Sequence, residues 1–518
     1  MNRPLSSRAR EWLFFGLCVA IFLPRAYVAA RDVGIIWSDE IFQTLEQGHR
    51  VAFGYGLVPW EFRDGVRSWL VPGVIGCAMK LLAALGVASG AALAAGVKLI
   101  FAALAALAFY PLLRIAYAEA GLAAALLLGC AAVAFPAHLI YSGRAMTEVA
   151  CTPFLTWGLW LLWPWGMGRV GRRVARTGLV RTKSAWAGAG PMFAAGALLG
   201  LAALVRYQVG ILLPVVAVIV AFRRSLGAAV LVAAGMATLL LLGGLLDWAT
   251  WGSPFHSLVG YVRSNLGEGG ASQWGIAKHG FYLRFMMRAN GAFMVLLLLG
   301  FVAALRRAWP LALLVLAFFL VHTFIPHKEL RFLFPVVPLF LLCAAIGLAA
   351  LVAKLPFSRG RRLAVAQGLA ALLFVGFVAR APGVEFRDIG QRMDAPGHGG
   401  PTSDSVWGAY SERIRFFAQA GQSADLCGLA VPNVIGYWTG GYTYLHRPVP
   451  LLWYGWHADY EAANYVLLGP GQTMTDPRYH KVAAAGDQVL YRRDGGCAAP
   501  PRASAVYGRM SPAGVPGV

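Results

Sequence analysis

Charged residues are scarce in this chain of 518 residues, and acidic residues are the scarcer of the two signs. Only 13% of the residues are charged, whereas 58% are apolar and the mean hydropathy is +0.62. A soluble globular protein usually carries about a quarter charged residues. The composition therefore excludes an ordinary soluble enzyme and indicates a chain that lies largely in a membrane.

Cysteine and several familiar catalytic motifs are also scarce or missing. The seven cysteines are too few for a disulfide framework, and no Cys-x-x-Cys pair or His/Cys cluster indicates a structural metal site. Cys427 and Cys497 lie in the C-terminal tail and could pair if that tail is extracytoplasmic. The sequence contains no P-loop and no Gly-x-Ser-x-Gly elbow, which argues against an ATP-driven process and an acyl hydrolase.

The basic residues are concentrated in one part of the chain. The sequence has 45 Lys and Arg against 23 Asp and Glu, for a net charge of +22. Residues 383–518 contain 11 of each kind, so the whole excess lies in residues 1–382, with 34 basic and 12 acidic residues. This distribution is typical of loops that face an anionic cytoplasmic leaflet and disfavours nucleic acid as the partner.

Apolar stretches suited to crossing a bilayer recur along residues 1–382. The eleven candidate spans are 11–30, 91–113, 120–140, 149–166, 190–205, 208–222, 225–246, 291–305, 308–325, 332–353 and 363–380. The apolar stretch 67–88 would be a twelfth. The basic clusters, including the run from Arg169 to Lys183, all fall on the cytoplasmic side only if 67–88 does not cross. We therefore predict eleven spans, an interfacial helix at 67–88, a cytoplasmic N-terminus and an outside C-terminus.

This topology divides the chain into two domains. Residues 1–382 form an α-helical polytopic membrane domain, with outside loops at 31–66 and 247–290. Residues 383–518 alternate short apolar and polar runs with Gly, Pro and Asn breaks, which predicts a small soluble α/β domain outside the membrane. We expect this domain to help choose the acceptor without taking part in the chemistry.

The first outside loop begins with two adjacent acids, Asp39 and Glu40. Adjacent residues on a helix point in different directions, so the two acids are not expected to share one role. One interpretation is catalytic, with a carboxylate presented to a polar substrate. The other is structural, with Ser38 or Asp39 capping a helix and Glu40 in its first turn.

Several cations on the predicted outside run against the usual distribution of charge. The segment His327, Lys328 and Arg331 lies between spans nine and ten, and Arg206 and Arg263 repeat the anomaly. An anionic lipid head group would explain these residues, since Lys and Arg are the usual partners of phosphate. Snorkelling at a helix end is the structural alternative.

Together these features describe a site at the outer membrane surface for a lipid phosphate and a hydroxyl nucleophile that needs a general base. A transporter of polyprenyl lipid or sugar is the alternative from another class. The enzyme is favoured because the hydropathy shows no two-fold repeat and the acids lie in loops. Arg144 and Glu148 share the outer side and can form a purely structural pair.

The loop from Ser38 to Gly73 resembles the first luminal loop of the mannosyltransferases of glycosyltransferase family 22, which build N-glycans and GPI anchors and belong to the GT-C superfamily. The acid pair of that family is matched by Asp39 and Glu40, although its preceding His-Pro is replaced by Trp37-Ser38. Further positions of this loop that match the family are Glu46, His49, Trp60, Glu61, Arg67 and Ser68. The family's His-Lys-Glu-x-Arg-Phe motif is matched by His327, Lys328, Glu329, Arg331 and Phe332.

The resemblance implies a GT-C fold in which the first outside loop forms membrane-parallel helices. It also implies a polyprenyl-phosphate sugar donor, mannose in the eukaryotic family, and an inverting transfer to a hydroxyl of a glycan or glycolipid acceptor. Arabinose, galactose or an amino sugar remain alternatives for the sugar. The Ala/Arg/Gly-rich tail suggests a bacterial inner-membrane protein, in which the outside is the periplasm.

The resemblance also suggests roles for individual residues. Asp39 is the expected catalytic base, with Glu40 as the second candidate. The expected donor-phosphate group is His327, Lys328 and Arg331, with Arg206 and Arg263 as further candidates. The remaining site candidates are Glu46, His49, Trp60, Glu61, Arg67 and Glu329. No cofactor or metal ligand is predicted, and a divalent ion is not expected to be obligatory, because the leaving phosphate is already anionic.

Overall fold

A computed structural model of the chain describes residues 6–165, 167, 188–267, 269–273, 275–390, 405–432, 434, 436–453, 460–498 and 510–514. The basic run from Arg169 to Lys183, which contributed to the topology prediction, lies outside the described residues.

The membrane domain is built from α-helices. Its first helices are α1 (Ser7–Arg31), α2 (Glu46–Phe53), α3 (Trp60–Arg63), α4 (Leu70–Ala84), α5 (Gly90–Leu107), α6 (Phe109–Ala134), α7 (Pro136–Ser142) and α8 (Thr147–Leu162). They are followed by α9 (Ala189–Val205), α10 (Leu212–Arg223), α11 (Leu226–Trp251), α12 (His256–Val262), α13 (Gly270–Gln273), α14 (Phe281–Asn290), α15 (Phe293–Ala304), α16 (Trp309–Phe324), α17 (Val337–Val352) and α18 (Arg359–Arg380). Short π and 3₁₀ turns adjoin these helices, among them the π-helix Glu40–Leu45 and the 3₁₀ turns Tyr207–Ile211 and Leu330–Val336.

The helices confirm the positions of the predicted apolar segments, because each of the eleven stretches overlaps an α-helix, although the helix bounds differ from the predicted ones. Five helical stretches are long and apolar enough to cross a membrane, and five shorter apolar helices have 10–17 residues. The long stretches are Ser7–Arg31, Gly90–Ala134, Leu226–Trp251, Leu330–Val352 and Arg359–Gly383. The number and direction of the crossings stay predictions.

Small residues let some of these helices approach closely. A Cβ atom added to Gly347 of α17 would lie 1.8 Å from the carbonyl oxygen of Gly300 in α15. A Cβ atom on Gly196 of α9 would lie 2.0 Å from the carbonyl oxygen of Val232 in α11. Glycine at such crossings allows backbones to pack directly, which is a common way for helices to associate in lipid.

The tail forms a small α/β domain next to the predicted outer ends of these helices. Its elements are α19 (Ser411–Gln422), β2 (Leu429–Val431), α20 (Gly441–Leu445), β3 (Leu451–Trp453), β4 (Tyr465–Leu468), β5 (Tyr479–Ala485) and β6 (Gln488–Arg493). The sheet order is β3-β2-β4-β6-β5. Strands β3, β2 and β4 are parallel to one another, and β6 is antiparallel to both of its neighbours, β4 and β5. A disulfide joins Cys427 and Cys497, so these cysteines are paired.

The tail is also bound to the first outside loop. Strand β1 (Gly56–Pro59) of that loop pairs antiparallel with β7 (Met510–Ala513), close to the C-terminal end of the chain. The backbone N–H of Ile35 donates to the carbonyl oxygen of Ala409 at 2.8 Å. The first loop is therefore held between the membrane helices and the tail.

The helix within the stretch 67–88 is α4, and Gly90, just after this stretch, contacts the tail. A Cβ atom on Gly90 would lie 2.2 Å from the carbonyl oxygen of Thr443 in α20. This contact places residue 90 and the tail on the same side of the membrane. If 67–88 does not cross, the tail, the first loop and residue 90 all face outside.

A single cysteine next to this contact tests the topology. Ala88 is exposed, whereas Gly90 is buried and too tightly packed to carry a larger side chain. We expect Ala88→Cys to react with a membrane-impermeant thiol reagent in intact cells, in a background without the exposed Cys77 and the other free cysteines. A cysteine in the Arg306–Arg307 turn, which the same topology predicts to be cytoplasmic, serves as the control that needs permeabilisation. Labelling of Ala88→Cys only after permeabilisation would overturn the eleven-span topology.

Candidate active site

The site begins where α1 ends and the chain turns back over the outer ends of the helices. Residues 32–39 are irregular, and they lead into the π-helix Glu40–Leu45, which continues into α2 as far as Phe53. Trp37 is buried, and its ring lies under the guanidinium of Arg331, with 5.2 Å between the ring centroid and Cζ. This turn brings the acid pair against the segment that follows α16.

Asp39 faces the second motif, the segment from His327 to Phe332. Its Oδ2 accepts a hydrogen bond from Nη2 of Arg331 at 2.7 Å, and its side chain is 29% exposed. Asp39 lies at the N-cap position and Glu40 in the first turn, as the structural interpretation placed them, but the side chain of Asp39 makes no capping hydrogen bond. The competing partner is Arg331, since a charged guanidinium at this distance binds a carboxylate more strongly than a backbone N–H does.

Glu40 has a different environment from its neighbour. Its side chain is 5% exposed and forms an ion pair with Arg144 at 2.9 Å. Its Oε1 also accepts a hydrogen bond from the backbone N–H of Ile36 at 2.7 Å. The same guanidinium binds Asp32 at 3.0 Å and the carbonyl oxygen of Gly34 at 2.8 Å. Glu40 is therefore held within a buried ionic cluster, and both of its oxygens have protein partners.

A second ionic cluster connects Arg331 with the outer end of α9. Arg331 binds Glu329 as well as Asp39, and its Nε lies 3.7 Å from Glu148. Glu148 pairs with Arg206 at 3.0 Å, and Arg206 also donates to the hydroxyl of Thr147 at 3.2 Å. The expected Arg144–Glu148 pair does not form, because Arg144 binds Glu40 and Asp32 while Glu148 binds Arg206.

The other cation of the second motif is bound to the backbone. The ammonium of Lys328 donates to the carbonyl oxygens of Ala277 at 2.9 Å and Ile325 at 2.6 Å. His327 lies 2.9 Å from Glu329. Burial would raise the pKa of Glu329, but the charge of Arg331 and the hydrogen bond from His327 outweigh burial and lower it to about 2. Glu329 is thus ionised, and it binds both of its basic neighbours, His327 and Arg331.

A cavity of about 40 Å³, lined by both polar and apolar side chains, lies next to this cluster. Its lining includes Arg67, Arg206, Gln43, Thr147 and Gln208. The guanidinium of Arg67 lies over the ring of Tyr261 in α12, at 5.6 Å from its centroid. Within the described ranges Arg67 makes no direct ion pair, although its charge interacts with that of Glu61.

Glu61 does not line this cavity but contacts Gln43, which does. Its Oε1 accepts a hydrogen bond from the amide of Gln43 at 3.0 Å, and Oε2 has no partner among the described residues. Burial raises the pKa of Glu61; the charge of Arg67 lowers it and that of Asp39 raises it. Glu61, Arg67 and Asp39 are therefore close enough to influence one another electrostatically.

The remaining predicted site residues lie elsewhere. Glu46 and His49 are buried and contact the tail, Trp60 begins α3, and Arg263 is exposed in the π turn Arg263–Gly267 and does not line the cavity. Gln43, Thr147 and Gln208 could not be identified from the sequence, because isolated polar residues near helix ends carry no recognisable pattern. In the part of the chain that the structure describes, no three His, Cys, Asp or Glu side chains are grouped to hold a metal ion. The expectation about divalent ions stays a prediction.

Comparison with known proteins gives one family and a set of short similarities. Residues 17–386 match the profile of the family described as the Alg9-like mannosyltransferase family. The GPI mannosyltransferase 3 of Drosophila melanogaster is 45% identical over 47 residues, which are 9% of this chain and 8% of that protein. The GPI mannosyltransferase 3 of Yarrowia lipolytica is 48% identical over 48 residues, 9% of each chain. Each of these matches therefore spans less than a tenth of the relative's length.

Solved structures are similar over far more of the chain. ArnT from Cupriavidus metallidurans, bound to undecaprenyl phosphate, has a TM-score of 0.59 at 15% identity, and the match covers 96% of this chain and 100% of ArnT. The oligosaccharyltransferase of Archaeoglobus fulgidus has a TM-score of 0.51 at 14% identity over 85% of this chain and 64% of that protein. At these identities the similarity concerns the fold alone.

Proposed function

Because the chain belongs to the Alg9-like mannosyltransferase family and has the GT-C glycosyltransferase fold, we propose that it is a mannosyltransferase acting at the outer face of the membrane. In the proposed reaction, mannose moves from a polyprenyl-phosphate donor to a hydroxyl group of a glycan or glycolipid, with inversion. One observation carries the proposal: a partly exposed carboxylate, Asp39, is connected through Arg331 and Glu148 to Arg206. Arg206 and Arg67 both line the cavity. That arrangement combines a proton acceptor with a site for an anionic leaving group.

Asp39 acts as the base in the proposed reaction. The acceptor oxygen attacks the anomeric carbon while the bond from that carbon to the phosphate oxygen breaks. The hydroxyl proton moves to Asp39, and polyprenyl phosphate leaves with the bonding electron pair. Arg331 orients the carboxylate through Oδ2, while Oδ1 has no hydrogen-bond partner among the described residues. A leaving phosphate needs no proton, so one carboxylate is sufficient.

We assign the donor phosphate to the cavity lined by Arg67 and Arg206. The sequence alone favoured His327, Lys328 and Arg331, but Arg331 is paired with acids and Lys328 is bound to carbonyl groups. Arg67 has no ion pair within the described ranges, and Arg206 has one. These two guanidinium groups offer more free hydrogen-bond donors to an anion than the second motif does.

The extracytoplasmic location is supported by the tail. Disulfides persist in oxidising compartments such as the periplasm, and Cys427 and Cys497 are paired. The tail also contacts the first loop, so the catalytic face and the disulfide share one side of the membrane. We therefore propose that the protein lies in a bacterial inner membrane with the site facing the periplasm.

A transfer assay with the purified full chain tests the function. The protein is given polyprenyl-phosphate mannose labelled in the sugar, together with glycolipid and glycan acceptors. We expect labelled acceptor and free polyprenyl phosphate in equal amounts. Parallel donors carrying arabinose, galactose or an amino sugar test the choice of sugar. Movement of intact donor across a vesicle membrane without any transfer would instead establish the transporter.

Removing the charge from the cavity should weaken donor binding. A hydrogen bond to a charged group contributes about 1.5–3 kcal/mol, so we expect Arg67→Gln and Arg206→Gln each to raise the donor KM roughly 10- to 100-fold. The matched control is Arg63→Gln, because Arg63 is exposed in the same loop, pairs with Asp64 and does not line the cavity. If Lys328→Ala weakens donor binding and neither cavity variant does, the phosphate binds at the His327–Arg331 segment.

A further inference from the structure

The carboxylate of Glu46 is buried in the first loop, and most of its hydrogen bonds come from the tail. It accepts from the backbone N–H of Tyr442 at 3.0 Å and from the backbone N–H and hydroxyl of Thr443 at 2.8 and 2.7 Å. The fourth donor is the backbone N–H of Leu57 at 2.8 Å. A buried carboxyl group needs hydrogen-bond partners. Burial raises the pKa of Glu46 and the four donors lower it, with burial the larger effect. Three of these donors lie nearly 400 residues away in sequence.

The backbone around this carboxylate is shaped to receive it. Gly441 has a φ of +56°, and a Cβ atom there would lie 2.7 Å from Oε2 of Glu46. A residue with a side chain would therefore be both strained and in collision with the carboxylate. One turn further along α2, Nε2 of His49 meets Nδ1 of His446 at 2.9 Å. These contacts pack α20 and the adjoining His446 closely against α2.

Helix α20 also contacts α5 and the π-helix Glu40–Leu45. Its Thr443 carbonyl packs against Gly90 at the start of α5. Burial and the nearby carboxylate of Glu40 raise the pKa of Tyr444, so this ring lies beside the cluster of Glu40 and Arg144. The five-residue helix α20 thus sits between α5, α2 and the turn that carries the acid pair.

We propose that Glu46 is a positioning residue, and that through it the tail fixes the orientation of the turn bearing Asp39. The proposal rests on the assignment of Asp39 in the proposed function. Asp39 immediately precedes the continuous helical segment Glu40–Phe53, and Glu46 lies about 10 Å further along that segment, from the rise of 1.5 Å per residue. Anchoring Glu46 fixes both the rotation and the axis of the segment. The tail is therefore part of the active site's framework as well as a candidate acceptor-binding domain.

Two substitutions at Thr443 test this role in the full-length protein. Thr443→Val removes the hydroxyl donor to Glu46 at almost constant shape, and Thr443→Ser keeps it. We expect the Val variant to lower kcat about tenfold with little change in donor KM, and to speed amide hydrogen exchange within residues 36–47 of the substrate-free protein. The Ser variant should behave like the wild type in both measurements. Glu46→Gln should give a larger loss of the same kind, and the exposed Lys481→Ala on β5 is the control for changes in the tail.

The two measurements have separate meanings. Faster exchange in residues 36–47 with unchanged kcat would overturn the positioning role, and so would a fall in kcat without any change in exchange. If even the wild type transfers no sugar, the proposed function fails, whereas the exchange comparison still decides whether the tail holds the first loop. Unchanged exchange in both Thr443→Val and Glu46→Gln would overturn the anchoring itself.

Discussion

Asp39→Asn should lower the turnover of sugar transfer by about 10²–10⁴-fold, the usual contribution of a positioned general base. The amide keeps the size of the side chain, and its oxygen can still accept the hydrogen bond that Arg331 donates at 2.7 Å. The variant lacks the basic carboxylate that receives the hydroxyl proton. Folding and donor binding should therefore change little, so the loss should fall on kcat. The measurement is the transfer rate at saturating donor, compared with the KM for the donor and the yield of folded protein.

The matched control is Asp64→Asn, because Asp64 is an exposed acid of the same loop and pairs only with its exposed neighbour Arg63 among the described residues. This control should keep the wild-type rate. Full activity of Asp39→Asn would contradict the assignment. If Glu40→Gln then folded normally but transferred no sugar, the base would be Glu40 instead.

The largest expected effect on stability is that of Arg144→Met. Arg144 is 1% exposed and neutralises two acids, the buried Glu40 at 2.9 Å and the partly buried Asp32 at 3.0 Å. Removing one partner of a buried ion pair costs about 3–5 kcal/mol, because the remaining charge stays buried without compensation. Folded proteins are commonly stable by only about 5–15 kcal/mol. We expect a lower midpoint of thermal unfolding in detergent and a reduced yield of monodisperse protein.

An exposed ion pair provides the comparison for this loss. Arg114 and Glu11 lie 3.1 Å apart with more than a third of each side chain exposed, and Arg114→Met should change stability by about 0–1 kcal/mol. Glu40→Gln should also lose stability, but its folded fraction should keep most of its activity, unlike Asp39→Asn. Equal unfolding midpoints for Arg144→Met and the wild type would show that the buried cluster does not stabilise the loop.

The sequence by itself determined the helical membrane architecture and the location of the candidate base. Hydropathy is a local property, and a bilayer requires long apolar stretches, so the helices occur where the composition predicts them. The expectation that Asp39 and Glu40 would differ in role rested on helix geometry alone. The structure gives the two acids different partners, Arg331 for Asp39 and Arg144 for Glu40, and their roles stay predictions. The side chain of Asp39 makes no capping hydrogen bond, because its partner Arg331 is distant in sequence.

Only the tertiary structure decided how the charges are paired and where the tail binds. Asp39 and Arg331 are separated by 292 residues, and Glu46 and Thr443 by 397. Such pairs depend on which helix ends and turns meet in space, and local patterning contains no information about that. The same applies to Lys328, whose charge suggested phosphate binding but whose ammonium is bound to nearby carbonyl groups. Residue type therefore identified the candidates, whereas burial and the distance to competing partners determined which side chains remain open to a substrate.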